Sequence, residues 1–213
     1  DAAAFFTARA FDNRASDLES LKSNIDLAIS TIQAGIDGID SISDLVQQAK
    51  GIASAAKATG DTNERSTLAV QFNELLSQVN SIANDSTFNG LNLLQATPDN
   101  LAVEFNEDNT SNLTITGLDV TTATSGINIA VAANNFGLNA NIDTALTAIS
   151  SALTTLRSNA STMGSNNTIL TTRLNFTDDL VNTLEGGNGK LTLADLNEES
   201  ANLLALQTRQ QLG

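Results

Sequence analysis

The chain has 213 residues, room for one large domain or two small ones; 41% are apolar, and the 4% that are aromatic are all Phe. With no Cys and no His, disulfides, thiolate metal sites and Ser–His–Asp or Cys–His catalysis are excluded. A formal net charge of −14, from 24 acidic and 10 basic residues, repels duplexes and anionic bilayers, so neither a nucleic-acid partner nor membrane insertion is expected.

No apolar run reaches the length of a membrane span, and no leader with a cleavage site opens the chain. The chain begins on Asp1 rather than Met and stops at Gly213 just after a helical pattern, so both ends are expected to be trimmed.

The first element is a heptad track. Leu18, Leu21, Ile25, Ala28, Ile32, Gly35, Ile39, Ile42, Val46, Ala49, Ala53 and Ala56 fall at alternating steps of three and four. That spacing draws one apolar seam and predicts a helix over about 2–58. A second stripe, Ile29, Ile36, Leu45 and Ile52, gives the helix a second neighbour and predicts a bundle. Gly35, Gly38 and Gly51 each cost about 1 kcal/mol relative to Ala, which points to close approach of another backbone. The stretch from Leu18 to Ala56 alone would span roughly 58 Å. A compact domain of this length has a radius of gyration of roughly 17 Å, so a single elongated rod domain over 1–213 is expected.

Thr59-Gly60-Asp61-Thr62-Asn63 is a turn signal, and Asp61 with Glu64 resembles a capping box. A shorter helix over about 64–83 follows, with Leu68, Phe72, Leu75, Val79 and Ile82 as its buried stripe, antiparallel to the first. Asn84-Asp85-Ser86 stops it.

Over about 88–134 the period falls to two. Leu101, Val103 and Phe105, then Leu113 and Ile115, alternate with polar or small residues around a polar turn and read as a β-hairpin. Ile127, Ile129 and Val131 suggest a further strand. Pro98, the only proline, sits in the loop before the hairpin, where a missing N–H costs little.

A second long heptad track predicts a helix over about 139–184: Ile142, Leu146, Ile149, Leu153, Leu156, Ala160, Met163, Asn167, Leu170, Leu174, Thr177, Val181 and Leu184. Gly186-Gly187-Asn188-Gly189 is expected to break it, with a last helix over about 192–211. The fold class is therefore mainly α with a small β region: long coiled-coil-like helices plus β-hairpins.

Few residues suggest chemistry. Asp37, Asp40 and Asp44 share a helix face and form a weak candidate for a divalent cation. A solvated face, or a contact with basic residues of another subunit, is the commoner outcome, since calcium loops draw ligands from a turn. Glu107 and Asp108 in the hairpin turn are similar. Glu198 and Glu199 are adjacent on a helix and point apart, so they do not form an acid–base pair. Asn167 and Thr177 interrupt the second seam, where polar residues can fix register. Arg157 and Arg173 stand out in an acidic chain as candidates for ion pairing between subunits. No catalytic, cofactor-binding or firm metal site emerges, and no cofactor is expected.

Four blocks in order resemble bacterial flagellin, in a short form. Asp1-Ala2-Ala3 with Ala8-Arg9-Ala10-Phe11 is similar to the family's opening signature, and Asn24 to Gln33 to its next block. Asp85 to Leu94 carries the Thr87-Phe88-Asn89-Gly90 hallmark at the helix-to-sheet junction. Ala194-Asp195-Leu196-Asn197-Glu198-Glu199-Ser200-Ala201-Asn202 is similar to the C-terminal block. The resemblance implies a rod-domain fragment without the outer hypervariable domains or the innermost terminal polymerisation segments. It also implies self-assembly with other flagellin subunits into an extracellular filament for motility. An export chaperone and a filament cap come with it, and enzymatic activity does not.

In family members sensed by the innate Toll-like receptor, the stretch matching Leu45 to Ile52 is basic and Arg-rich. Here Gln47, Gln48, Lys50 and Gly51 depart from that pattern, which predicts a poor agonist. Two other functions fit the plan. One is a cell-surface flagellin-like adhesin or receptor for a polysaccharide, using Asn, Thr and Ser between Asn106 and Thr124 on surface glycans, although no Trp or Tyr is present for sugar stacking. The other is the hook–filament junction protein.

Overall fold

The computed structural model describes residues 2–212. Three α-helices carry most of them: α1 (Ala2–Ala58), α2 (Thr62–Asp85) and α3 (Asn139–Leu212). Between α2 and α3 lie strands β1 (Thr87–Phe88), β2 (Leu91–Asn92), β3 (Leu101–Glu104) and β4 (Asn112–Ile115), then a short 3-10 turn at Ala133–Phe136. The strands form two two-stranded sheets, β1 with β2 and β3 with β4. The fold class is as the patterning predicts: mainly α, with hairpins.

The chain divides into two compact units. One comprises Asp1–Asp26, Glu104–Asn112 and Thr171–Gly213; the other comprises Leu27–Val103 and Leu113–Leu170.

In the second unit the α1 seam is fully buried: Ile32, Ile39, Ile42, Val46, Ala49, Ala53 and Ala56 all have 0% exposure. Ile29, Ile36, Leu45 and Ile52 are half-buried beside it, as a flank touching a second neighbour should be. Ile142, Ile149, Leu156, Met163 and Leu170 bury the facing seam of α3. Burying each such side chain contributes about 1.5–3 kcal/mol. Met163 reaches Gly35 of α1, and Lys57 of α1 pairs with Asp143 of α3 at 2.5 Å.

On α2 the buried set is Ala69, Phe72, Leu76, Val79 and Ala83, one position off the expected Leu68, Leu75 and Ile82, which are only half-buried. The inward face is rotated by one residue: Ala69, Leu76 and Ala83 point inward with Phe72 and Val79, and Leu68, Leu75 and Ile82 flank them. Phe72 meets Phe136 edge to face at 5.1 Å, a geometry aromatic pairs favour.

Asp61 caps α2 by accepting from the N–H groups of Asn63 and Glu64. The reciprocal half of the expected capping box is absent: Glu64 accepts from Thr59 Oγ1 at 2.7 Å, and the Asp61 N–H donates to Thr59 Oγ1. Thr59, two residues earlier, takes over the acceptor role.

The expected strand at Ile127–Val131 does not form. The N–H groups of Ile127, Asn128 and Ile129 donate to carbonyls of Thr121, Ala123 and Thr122, so the segment folds back on its own loop. Ile127 and Ile129 are buried, and Val131 is 67% exposed.

In the first unit Ala15, Leu18, Val181 and Leu184 form a core with Phe11, Leu21 and Leu180 packed against it. Here α3 is unbroken through Gly186, Gly187 and Gly189, so the expected break and separate last helix are not present. The Phe11 ring lies 3.2 Å from where a Cβ on Gly187 would stand. That glycine makes room for a ring and does not stop the helix. In both units α1 and α3 run antiparallel, and residues facing each other have numbers adding to 198 or 200 (Phe11 with Gly187, Lys22 with Asp178, Gly35 with Met163, Lys57 with Asp143).

Candidate interaction surfaces

The signature turn is built from the chain upward. Asn89 and Gly90 have φ of 49° and 79° and form the two-residue loop between Phe88 and Leu91, which pair across β1 and β2. Positive φ at both positions is what a type I′ hairpin requires, and Asn-Gly meets it with little strain. Thr87 pairs with Asn92.

Asn92 is the residue that sequence reasoning missed. It is 2% exposed. Its Nδ2 donates to the carbonyls of Ala83 and Asn84 at 2.9 Å each, and its Oδ1 accepts from the N–H groups of Leu94 and Gln95. Its own N–H donates to Asp99 Oδ2 at 2.8 Å. One side chain therefore ties the end of α2 to the segment after β2. The signal in the sequence was a lone amide between Leu91 and Leu93-Leu94.

The other candidates lie on surfaces. Asp37, Asp40 and Asp44 are exposed on α1; Asp37 accepts from Gln33 Nε2 at 2.9 Å. Among the described residues no group of three carboxylates is placed to hold a metal ion. Gln47, Gln48, Lys50 and Gly51 are exposed on the same helix, and a Cβ on Gly51 would meet nothing within 4 Å.

Glu107 accepts from Arg14 Nε at 2.9 Å, and Arg173 sits 4.8 Å over the Phe105 ring; Asp108 is exposed. The hairpin turn thus takes a cation from each long helix. Lys22 pairs with Asp178; that hydrogen bond, the largest effect, raises the ammonium pKa above the ordinary 10.5. Thr177, 3% exposed, donates to the carbonyl of Arg173, and Asn167 is half-buried.

Some polar groups between Asn106 and Thr124 bond locally, Asn106 to Thr110 and Asp119 to Thr121 and to Ser125 just beyond, while Thr122 bonds to Asn80 of α2. Asp1 and the side chain of Glu198, with its relation to Glu199, lie outside the described residues.

Exposed large apolar side chains gather on the terminal stretches of α1 and α3. Phe5, Phe6, Leu193, Leu196, Leu203, Leu204 and Leu206 are each at least half exposed. A groove of about 370 Å³ lies among Ala4, Phe5, Ala8, Leu191 and Leu196.

The family model for the bacterial flagellin N-terminal helical region matches residues 1–99. Flagellin FljO of Caulobacter vibrioides is 33% identical over 97% of this chain and 75% of its own length. The chain belongs to the flagellin family. A flagellin of Brucella melitensis is 28% identical over 89% of this chain and 67% of its own. The crystal structure of Bacillus cereus flagellin superposes with a TM-score of 0.63 at 21% identity, over 72% of this chain and 88% of that one, a likeness of fold. This flagellin is a structural subunit of the flagellar filament, assembling with other flagellin subunits outside the cell. Among the described residues no helix is long and apolar enough to cross a membrane.

Proposed function

We propose that this flagellin enters the filament through faces off its buried seams, by contacts between unlike surfaces that do not close and so extend indefinitely. The observation carrying this reading is the exposed apolar set on the terminal stretches, from Phe5 and Phe6 to Leu203, Leu204 and Leu206. Apolar surface gathered in this way calls for a covering partner, and in a filament that partner is another subunit. Family membership suggests an export chaperone and a cap at the growing end. The role is structural, as for the flagellin family; without His and Cys, Ser–His–Asp and Cys–His catalysis are ruled out. Electron microscopy of the full-length protein, with any terminal segments outside residues 1–213, tests the reading. Helical filaments are expected; monomers alone under polymerising conditions, or capture of a polysaccharide in a glycan screen, would overturn it.

A weak response from the Toll-like receptor is part of the same proposal. Gln47, Gln48 and Lys50 offer no bidentate guanidinium, and Gly51 offers no side chain at the exposed surface. Dose–response curves on receptor-expressing cells should lie well to the right of a strong agonist's; coincident curves would end this part of the reading.

A further inference from the structure

Arg157 and Arg173 look alike in the sequence, and the structure separates them. Arg173 covers Phe105. Arg157 is exposed on α3 and makes no hydrogen bond or ion pair among the described residues. On α1, Asp40 and Asp44 are likewise exposed and unpaired, and Asp37 takes only a neutral amide from Gln33. The antiparallel register within this unit places Arg157 level with residues 41–43 of α1, between Asp40 and Asp44. Opposite charges thus stand at one height on two helices, on sides turned away from the buried seams, and no ion pair joins them.

We propose that the α3 face bearing Arg157 docks on the α1 face bearing Asp37, Asp40 and Asp44 of a second copy of this chain. The inference rests on the filament reading, which makes copies the constant neighbours. Charge complementarity selects the faces. Arg157 is the only cation that α3 contributes to this unit, while the only acid of that stretch, Asp143, is already held by Lys57. A partner matching Arg157 must bring carboxylates, and each copy carries three at the matching height. In the filament reading this contact is heterologous, each copy giving its Arg157 face to one neighbour and its acidic face to another, so a free face of each kind is left for the next copy. Charges so arranged set register and steer encounter more than they add raw affinity.

The test uses the full-length protein, with any terminal segments outside residues 1–213, in three forms: the parent, Arg157→Glu, and Asp40→Lys with Asp44→Lys. All the substituted positions are exposed, and thermal melts confirm the fold. At low ionic strength each variant alone should show a critical concentration for polymerisation raised about fivefold or more. A one-to-one mixture of the two variants should polymerise near the parent's level, because each reversed face then meets a reversed partner. Only pairing between copies gives that rescue. Variants that polymerise like the parent, or a mixture no better than its components, would overturn the docking. A parent that forms no filaments would instead sink the filament reading itself.

Discussion

The side-chain amide of Asn92 donates to the carbonyl of Ala83, and this 2.9 Å bond is buried. It closes the end of α2 onto the strand that follows the signature turn. An amide carries two donors and an acceptor with two lone pairs, and Asn92 engages both ends, serving carbonyls on one side and N–H groups on the other.

Asn92→Ala should therefore destabilise the protein by about 1–3 kcal/mol, the range for leaving buried polar groups unsatisfied. Urea unfolding checks it. Asn92→Asp should also destabilise, because a carboxylate cannot donate to the carbonyls of Ala83 and Asn84. An unchanged midpoint in both variants would show that water replaces the amide.

Two glycines of α1 should respond in opposite ways to alanine. A Cβ on Gly38 would stand 2.4 Å from Ser86 Oγ and 2.6 Å from Leu94 Cδ1. Leu94 is fully buried and Ser86 Oγ is bonded to the Ile82 carbonyl, so neither yields freely. Gly38→Ala should cost about 1–3 kcal/mol by overpacking. Gly51→Ala meets open space and should stabilise by about 0.5–1 kcal/mol through helix propensity. Paired thermal melts decide both signs.

Asp61→Ala removes the acceptor for the Asn63 and Glu64 N–H groups. The expected loss is about 1 kcal/mol. Asp61→Asn keeps an acceptor and should recover most of it, as denaturant titration of both variants would reveal.

Lys22 supplies a pH dependence. Its folded-state pKa is raised, chiefly by the hydrogen bond to Asp178. A raised pKa on a cation means that its contribution is complete below the ordinary value of 10.5 and is lost as pH climbs through the folded-state value. Lys22→Met should therefore lower the melting temperature at pH 7, and the gap to the parent should shrink above pH 10.5. A gap independent of pH would assign the effect to packing of the lysine stem.

The heptad tracks made the seams legible because spacing alone fixes a helix face. Ile25, Ile32, Ile39, Ile142, Ile149 and Leu156 are buried as that spacing requires. On α2 the spacing located the stripe but not its exact rotation: Ala69, Leu76 and Ala83 are buried and Leu68, Leu75 and Ile82 flank them, since three-and-four spacing is met by either neighbouring set. Glycine was ambiguous as well: Gly187 reads as a stop in the sequence, and only the ring of Phe11, far away in the chain, shows it to be a seat. Thr87-Phe88-Asn89-Gly90 was legible as a family signature at a helix-to-sheet junction, but the hairpin turn at Asn89-Gly90 and the Asn92 network needed coordinates, since the partners of Asn92 come from α2 and from the residues after β2. The acidic face of α1 was legible, and its height relative to Arg157 was not.

The unbroken passage of α3 through Gly186, Gly187 and Gly189 carries a thermodynamic cost of about 3 kcal/mol relative to alanine. Amide protons just beyond Leu184 should consequently trade with solvent sooner than those around Ile149, the unwinding starting where propensity is poorest. Phe11 rests on this weak turn, so loosening it also frees the first turns of α1. The turns around Phe11 and Gly187 are thereby yoked: loosening one loosens the other, and a neighbour that clamps one of them steadies both.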